Sequence, residues 1–250
     1  MMEPVNYEML FMDSFKKLCT HRSAWQVWAD FVTVAAISIS NVLESDVDIF
    51  KARERETKDC GERLGDNETL TKLFNIIVSA LESNPRQDFL GSLYMRLELG
   101  SHWKGQFFTP YHVCELMAGL GANDRIEELK NEHWISVNDC ACGAGATLLA
   151  MANKLRDAGI NYQERVLFVA QDIDRITGMM CYIQLSLLGC PGYVVIADSL
   201  CNPLTGRSPL MPALRPGQEI WCTPMFYTDT WHYRRLIKRI TGGPYDGHKE

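Results

Sequence analysis

The residues best suited to chemistry form one short run, Asp139-Cys140-Ala141-Cys142-Gly143-Ala144-Gly145. It lies between β-forming residues, Trp134 to Asn138, and an apolar helical stretch, Thr147 to Leu155. Two glycines two apart remove side chains where the backbone must turn tightly and let a ligand approach closely. The helix that follows points unpaired N–H groups at the same place. Two further acids occupy matching positions. Asp172 ends the apolar strand Arg165 to Ala170, and Asp198 ends the strand Tyr193 to Ala197. Open α/β sheets bind ligands at the carboxyl ends of their strands, where an acid accepts hydrogen bonds from ribose hydroxyls. Asp174, two residues beyond Asp172, is placed to share that role. Taken singly, each Asp reads equally well as the cap of the following helix or turn. A dinucleotide fingerprint is the rival reading, but Leu148 stands where its third glycine belongs, and an acid precedes the loop. A phosphate-binding P-loop is excluded because no Gly-Lys-Ser/Thr follows.

Upstream stands Gly105-Gln106-Phe107-Phe108-Thr109-Pro110. Together with Asp139 to Gly145 it resembles the modification subunit of type I restriction-modification systems and related N-6 adenine DNA methylases. That family carries G-Q-[FY]-[FY]-T-P and then D-P-x-C-G-[ST]-G-x-x-L. The first motif matches in full. The second matches at Asp139, Cys142, Gly143, Gly145 and Leu148, and departs at Cys140 and Ala144. Gln171-Asp172 and Ala197-Asp198-Ser199-Leu200 are similar to the family's next two cofactor motifs. The resemblance spans residues 105 to 200. It implies an S-adenosylmethionine site. Phe107 and Thr109 would line the methionine end, Asp139 and the Gly143–Gly145 turn would hold the amino-acid portion, Asp172 the ribose and Asp198 the adenine amino group. It also implies DNA as substrate, a specificity or nuclease subunit as partner, a cytoplasmic location and no metal.

The acceptor side follows the pattern less closely. The family ends its fourth strand with Asn-Pro-Pro-[Phe/Tyr], which accepts hydrogen bonds from the target amino group and stacks on the flipped base. This chain has no such run. By position the catalytic candidates are Thr223, Pro224 and Phe226, after a candidate strand Glu219 to Cys222. A Thr hydroxyl accepts a hydrogen bond but is shorter than an Asn amide. Asn202-Pro203-Leu204 is a weaker alternative. The expected activity is S-adenosylmethionine-dependent adenine-N6 methylation of DNA. A catalytically inactive module with an interaction or regulatory role is the alternative.

These residues need a scaffold. From about residue 101 the pattern is β-α-β-α-β, which predicts a parallel, methyltransferase-like (Rossmann-type) sheet in an α/β fold. Before it, residues 1–100 read as a helical region. Trp25, Trp28, Phe31, Val32, Ala35 and Ile39 share one helix face, as do Leu70, Leu73, Phe74, Ile77, Val78 and Leu81. Lys51 to Asp66, charged and carrying two glycines, reads as a helix end and a loop. Near the end, Trp231 to Arg239 forms a basic aromatic helix, read first as a solvated face with a packed Trp and second as a phosphate contact. The net charge of -6 argues against tight DNA binding by this chain alone. Nine cysteines with no CxxC pair predict reduced thiols. The apolar run Phe31 to Ile39 is too short to span a bilayer.

Overall fold

The computed structural model describes residues 5–99, 108–206 and 208–241. The chain divides into two compact units, residues 1–108 and 109–250. Among the described residues no helix is long and apolar enough to cross a membrane.

The first unit is helical: α1 (Tyr7–Leu18), α2 (Ala24–Ser40), α3 (Val47–Leu64), α4 (Asn67–Ser83) and α5 (Phe89–Arg96). Ser23 starts α2 by accepting the Gln26 N–H at 3.2 Å, and Asp66 starts α4 by accepting the Thr69 N–H at 2.9 Å. The core is aromatic. Trp28 meets Phe11, Phe15 and Tyr94 with ring centroids 6.0, 5.9 and 6.1 Å apart, all edge-on. Trp25 instead stays 38% exposed at the start of α2.

Residues 51–64 depart from the sequence expectation. They continue as α3 through Gly61, and only Gly65, at φ +69°, ends the helix. The charges that suggested a loop are fastened to α2. Arg63 grips the buried Asp30 with both carboxylate oxygens, at 2.7 and 3.1 Å. Arg53 binds Ser40 at 2.7 Å and Glu44 at 3.0 Å. Paired charges replace the apolar stripe that periodicity looks for.

The second unit opens with α6 (Tyr111–Asn131), an element the sequence pattern did not reveal. It continues through β1 (Ile135–Asp139), α7 (Ala146–Asp157), a single turn α8 (Tyr162–Arg165), β2 (Val166–Asp172), α9 (Arg175–Leu187), β3 (Gly192–Ile196), β4 (Glu219–Cys222) and α10 (Asp229–Thr241). The strands lie in the order β1-β2-β3-β4. The first three are parallel, in the register Asp139 beside Ala170 and Asp172 beside Ile196. This is the expected methyltransferase-like sheet following a helical region, with one change. β4 pairs antiparallel to β3, setting Cys222 against Tyr193 and Glu219 against Ile196. One sheet face is sealed by Phe226, Trp231 and Leu210 over Leu167, Val169, Tyr193 and Val195. On α6, Cys114 and Ala118 pack with Ala146 and Ala150 of α7, so small residues let two helices approach closely.

Candidate functional site

The parallel register brings the ends of β1, β2 and β3 to one edge, and Asp139, Asp172 and Asp198 with them. The glycine turn between β1 and α7 is pinned from several sides. The Cys142 N–H donates to the Gln171 carbonyl at 3.0 Å, and the Gly145 N–H to the Cys142 carbonyl at 2.8 Å. The Gln184 amide, wholly buried on α9, donates to the Ala144 carbonyl at 2.9 Å. Gly143 and Gly145 both take positive φ, +53° and +95°. A Cβ at Gly145 would fall 2.8 Å from the Cys181 sulfur. No side chain caps α7, so its first N–H groups face the turn without a side-chain acceptor.

Each acid is engaged in this turn or beside it. Asp172 accepts the Gly143 N–H through Oδ2 at 2.8 Å, which joins the end of β2 to the glycine turn. Its Oδ1 accepts the Asp174 N–H at 2.9 Å and the Thr177 hydroxyl at 3.1 Å. Asp139 accepts the Ala141 N–H at 3.0 Å and, through its other oxygen, the Thr147 hydroxyl. Asp198 accepts the Leu200 and Cys201 N–H groups at 2.8 and 3.0 Å. Those bonds, Cys201 first, hold its carboxyl below the usual carboxylate range. Asp174 is the N-cap of α9, accepting the Ile176 and Thr177 N–H groups. The capping reading is therefore correct for Asp174 and partly correct for the other three. A carboxylate has about four acceptor sites, so Asp139, Asp172 and Asp198 keep capacity for a ligand. Thr109 is exposed just ahead of α6, its carbonyl 3.7 Å from the Cys114 sulfur. Because Cys114 packs with Ala146, this segment lies at the start of α7. Phe107 lies outside the described residues.

Three residues that motif reading passed over hold the site together. Gln171 donates to the Ala197 and Asn202 carbonyls at 3.2 and 3.1 Å and accepts the Leu204 N–H at 3.0 Å, anchoring the segment after β3. Gln184 and Thr147 fasten the turn. The only sequence signal for the two glutamines is polarity inside an apolar element. The Cys142 thiol is pushed well above its ordinary range, first by its hydrogen bond with Cys181 and then by burial, so it is a packing group.

The catalytic candidates are elsewhere, and their assignment is corrected here. Because β4 runs antiparallel, Thr223 sits beside Gly192 at the start of β3, the edge opposite the glycine turn. Its hydroxyl donates to the Cys190 carbonyl at 2.8 Å and accepts the Gly192 N–H at 3.0 Å, and the residue is fully buried. Pro224 opens a 3₁₀ turn, Pro224–Tyr227. Phe226 is buried edge-on against Tyr193, at 5.6 Å, with the Arg235 guanidinium 4.0 Å over its ring. None of the three can face a ligand at the carboxyl edge. The alternative, Asn202, is on the correct edge, but its amide donates to the Pro216 carbonyl at 3.3 Å and accepts from Gln218 at 3.3 Å.

The site's donor set suits a cationic nucleoside: three carboxylates at one strand edge, a glycine turn open to close approach, and an uncapped helix start. No curated protein matches the chain. One solved structure, the methyltransferase subunit of a type I restriction-modification system from Streptococcus thermophilus, is similar at 13% identity with a TM-score of 0.42. The similarity covers 78% of this chain and spans 58% of that one. The family model described as N-6 DNA methylase matches residues 90–239, more than half of the 250 residues and all of the elements just described from α6 to β4, and the chain belongs to that family.

Proposed function

We propose that the carboxyl edge of the sheet binds S-adenosylmethionine and that the chain serves adenine-N6 methylation of DNA. The observation that carries this reading is the 2.8 Å bond from the Gly143 N–H to Asp172, which ties the glycine turn to the acid on the neighbouring strand. Asp139 would meet the α-ammonium of the cofactor, and the N–H groups at the start of α7 its α-carboxylate. Asp172 would accept from the ribose hydroxyls and Asp198 from the adenine amino group. Phe107 and Thr109 would line the methionine end. The bound cofactor supplies an electrophilic methyl group. No metal enters this scheme, and the chain needs no strong base, since the amino group loses its proton readily once alkylated. DNA is the proposed substrate, with a specificity or nuclease subunit as partner.

A second reading has a specific observation behind it. With Thr223 buried at the far edge, no described residue takes the place of the family's Asn-Pro-Pro-[Phe/Tyr] run. The chain would then be a catalytically silent module that keeps the cofactor site and acts as an interaction or regulatory subunit. Calorimetric titration of S-adenosylmethionine, followed by transfer of a labelled methyl group to duplex DNA, separates the two. The leading reading expects binding, lost in Asp139→Ala and Asp172→Ala, and methyl transfer to DNA. Binding with no transfer selects the silent module. Absence of binding by the folded chain overturns both.

A further inference from the structure

At the opposite edge of the sheet, α10 and the residues leading into β1 and β2 enclose a cavity of about 490 Å³. That volume is in the range of small-molecule pockets. Its apolar walls are Trp134, Leu210 and Ile237, and three cations line it, Arg165, Arg234 and Lys238, against one carboxylate, Glu164. The Trp134 ring is held upright by edge-on contact with the buried Trp231, centroids 5.8 Å apart at 84°. Arg165 is fixed by donating to the Glu132 carbonyl at 2.8 Å, to the His133 carbonyl at 3.3 Å and to the Leu129 carbonyl. Arg234 lies 4.5 Å over the Trp231 ring and donates to the Glu164 carbonyl. Its guanidinium is held below its ordinary range, first by burial and also by the neighbouring charge of Arg165. Gathering like charges around a partly desolvated space is unfavourable unless an anion occupies it. Guanidinium forks match phosphate oxygens, and a flat aromatic wall matches a base.

We infer that this cavity is a nucleotide site, in which a base lies against Trp134, Leu210 and Ile237 and a 5′-phosphate meets Arg165, Arg234 and Lys238. The nucleotide is either free in solution or the 5′-phosphorylated end of a DNA strand. The site shares no residue with the glycine turn and does not depend on the methyltransferase reading. The test is calorimetric titration of the full chain with AMP, adenosine, inorganic phosphate and a short 5′-phosphorylated oligonucleotide. AMP should bind saturably, with adenosine and phosphate each weaker by about tenfold or more, one factor of ten being about 1.4 kcal/mol. Lys238→Ala should weaken AMP by about tenfold. Ile237→Trp, at a half-exposed position, should fill the cavity and abolish binding, with circular dichroism unchanged in both variants. Asp172→Ala should leave AMP binding intact, which separates this site from the glycine turn. Binding of the oligonucleotide in place of AMP identifies a strand end as the source. Failure of both AMP and the oligonucleotide to saturate overturns the proposal. So does binding that survives Lys238→Ala and Ile237→Trp, or that Asp172→Ala removes.

Discussion

At the residue scale, the glycine turn depends on groups that tolerate little change. In Gly145→Ala a methyl group would meet the Cys181 sulfur at 2.8 Å while the backbone keeps φ +95°. Strain of that kind costs on the order of 1–3 kcal/mol. The variant should melt at lower temperature and lose S-adenosylmethionine binding, which calorimetry on the refolded protein reads directly. Asp172→Ala strips the Gly143 N–H of its acceptor, at a cost of roughly 1–3 kcal/mol for a stranded donor. Asp172→Asn, keeping one acceptor oxygen, should recover part of the stability and little of the cofactor affinity. Asp198 gives a pH signature. Its carboxyl titrates below the ordinary value of about 3.9, so its hold on the Leu200 and Cys201 N–H groups is complete above that value. That hold is lost only as acidification passes through the lowered pKa. An NMR titration should find these two amides unmoved at pH 5 and shifting at lower pH. A shift centred above pH 4 would contradict the geometry.

At the element scale, the direction of one short strand decides what Thr223 does. Periodicity located Glu219–Cys222, but four residues carry no information about which way a strand enters a sheet. Direction was set by the long connection from 197 to 218, which returns the chain along β3 and docks Glu219 on Arg175 at 2.9 Å. The parallel strands were legible because each is an apolar run next to a helix-forming one. The three acids were legible because a strand end followed by Asp is local. α6 escaped detection because its buried residues, Cys114, Ala118 and Ala122, are small and give no strong apolar stripe. The far-edge role of Thr223 was illegible because its partners, Cys190 and Gly192, come from another strand. Thr223→Val should therefore destabilise the fold by about 1–3 kcal/mol, since it strands a buried N–H, and leave cofactor affinity unchanged. Denaturant melts beside calorimetry check both parts. Thr223→Asn should bring no gain in DNA methylation, because the longer amide would be forced into the space between β3 and β4.

At the scale of the whole molecule, charge governs how DNA could be met. The chain carries 31 acidic against 25 basic residues. Phosphate neutralisation supplies essentially all non-specific affinity, and typical non-specific dissociation constants are ~10⁻⁴–10⁻⁶ M at physiological salt. The most basic element, α10, has much of its charge turned inward. Arg234 lies on Trp231 and Arg235 on Phe226, and the outward positions carry Tyr233, Leu236, Ile237 and Ile240 instead. An outward face of that kind is built for contact with apolar surface, which duplex phosphates do not offer. Fluorescence anisotropy with a labelled duplex should therefore find binding weaker than the usual non-specific range, with a shallow dependence on salt. Arg239→Ala should barely change it, since one lost phosphate contact alters the slope by about 0.9. Tight binding with a steep slope would place a phosphate-tracking surface in this chain itself. Weak binding leaves the DNA grip to a partner and makes cofactor binding the property that this chain can show alone.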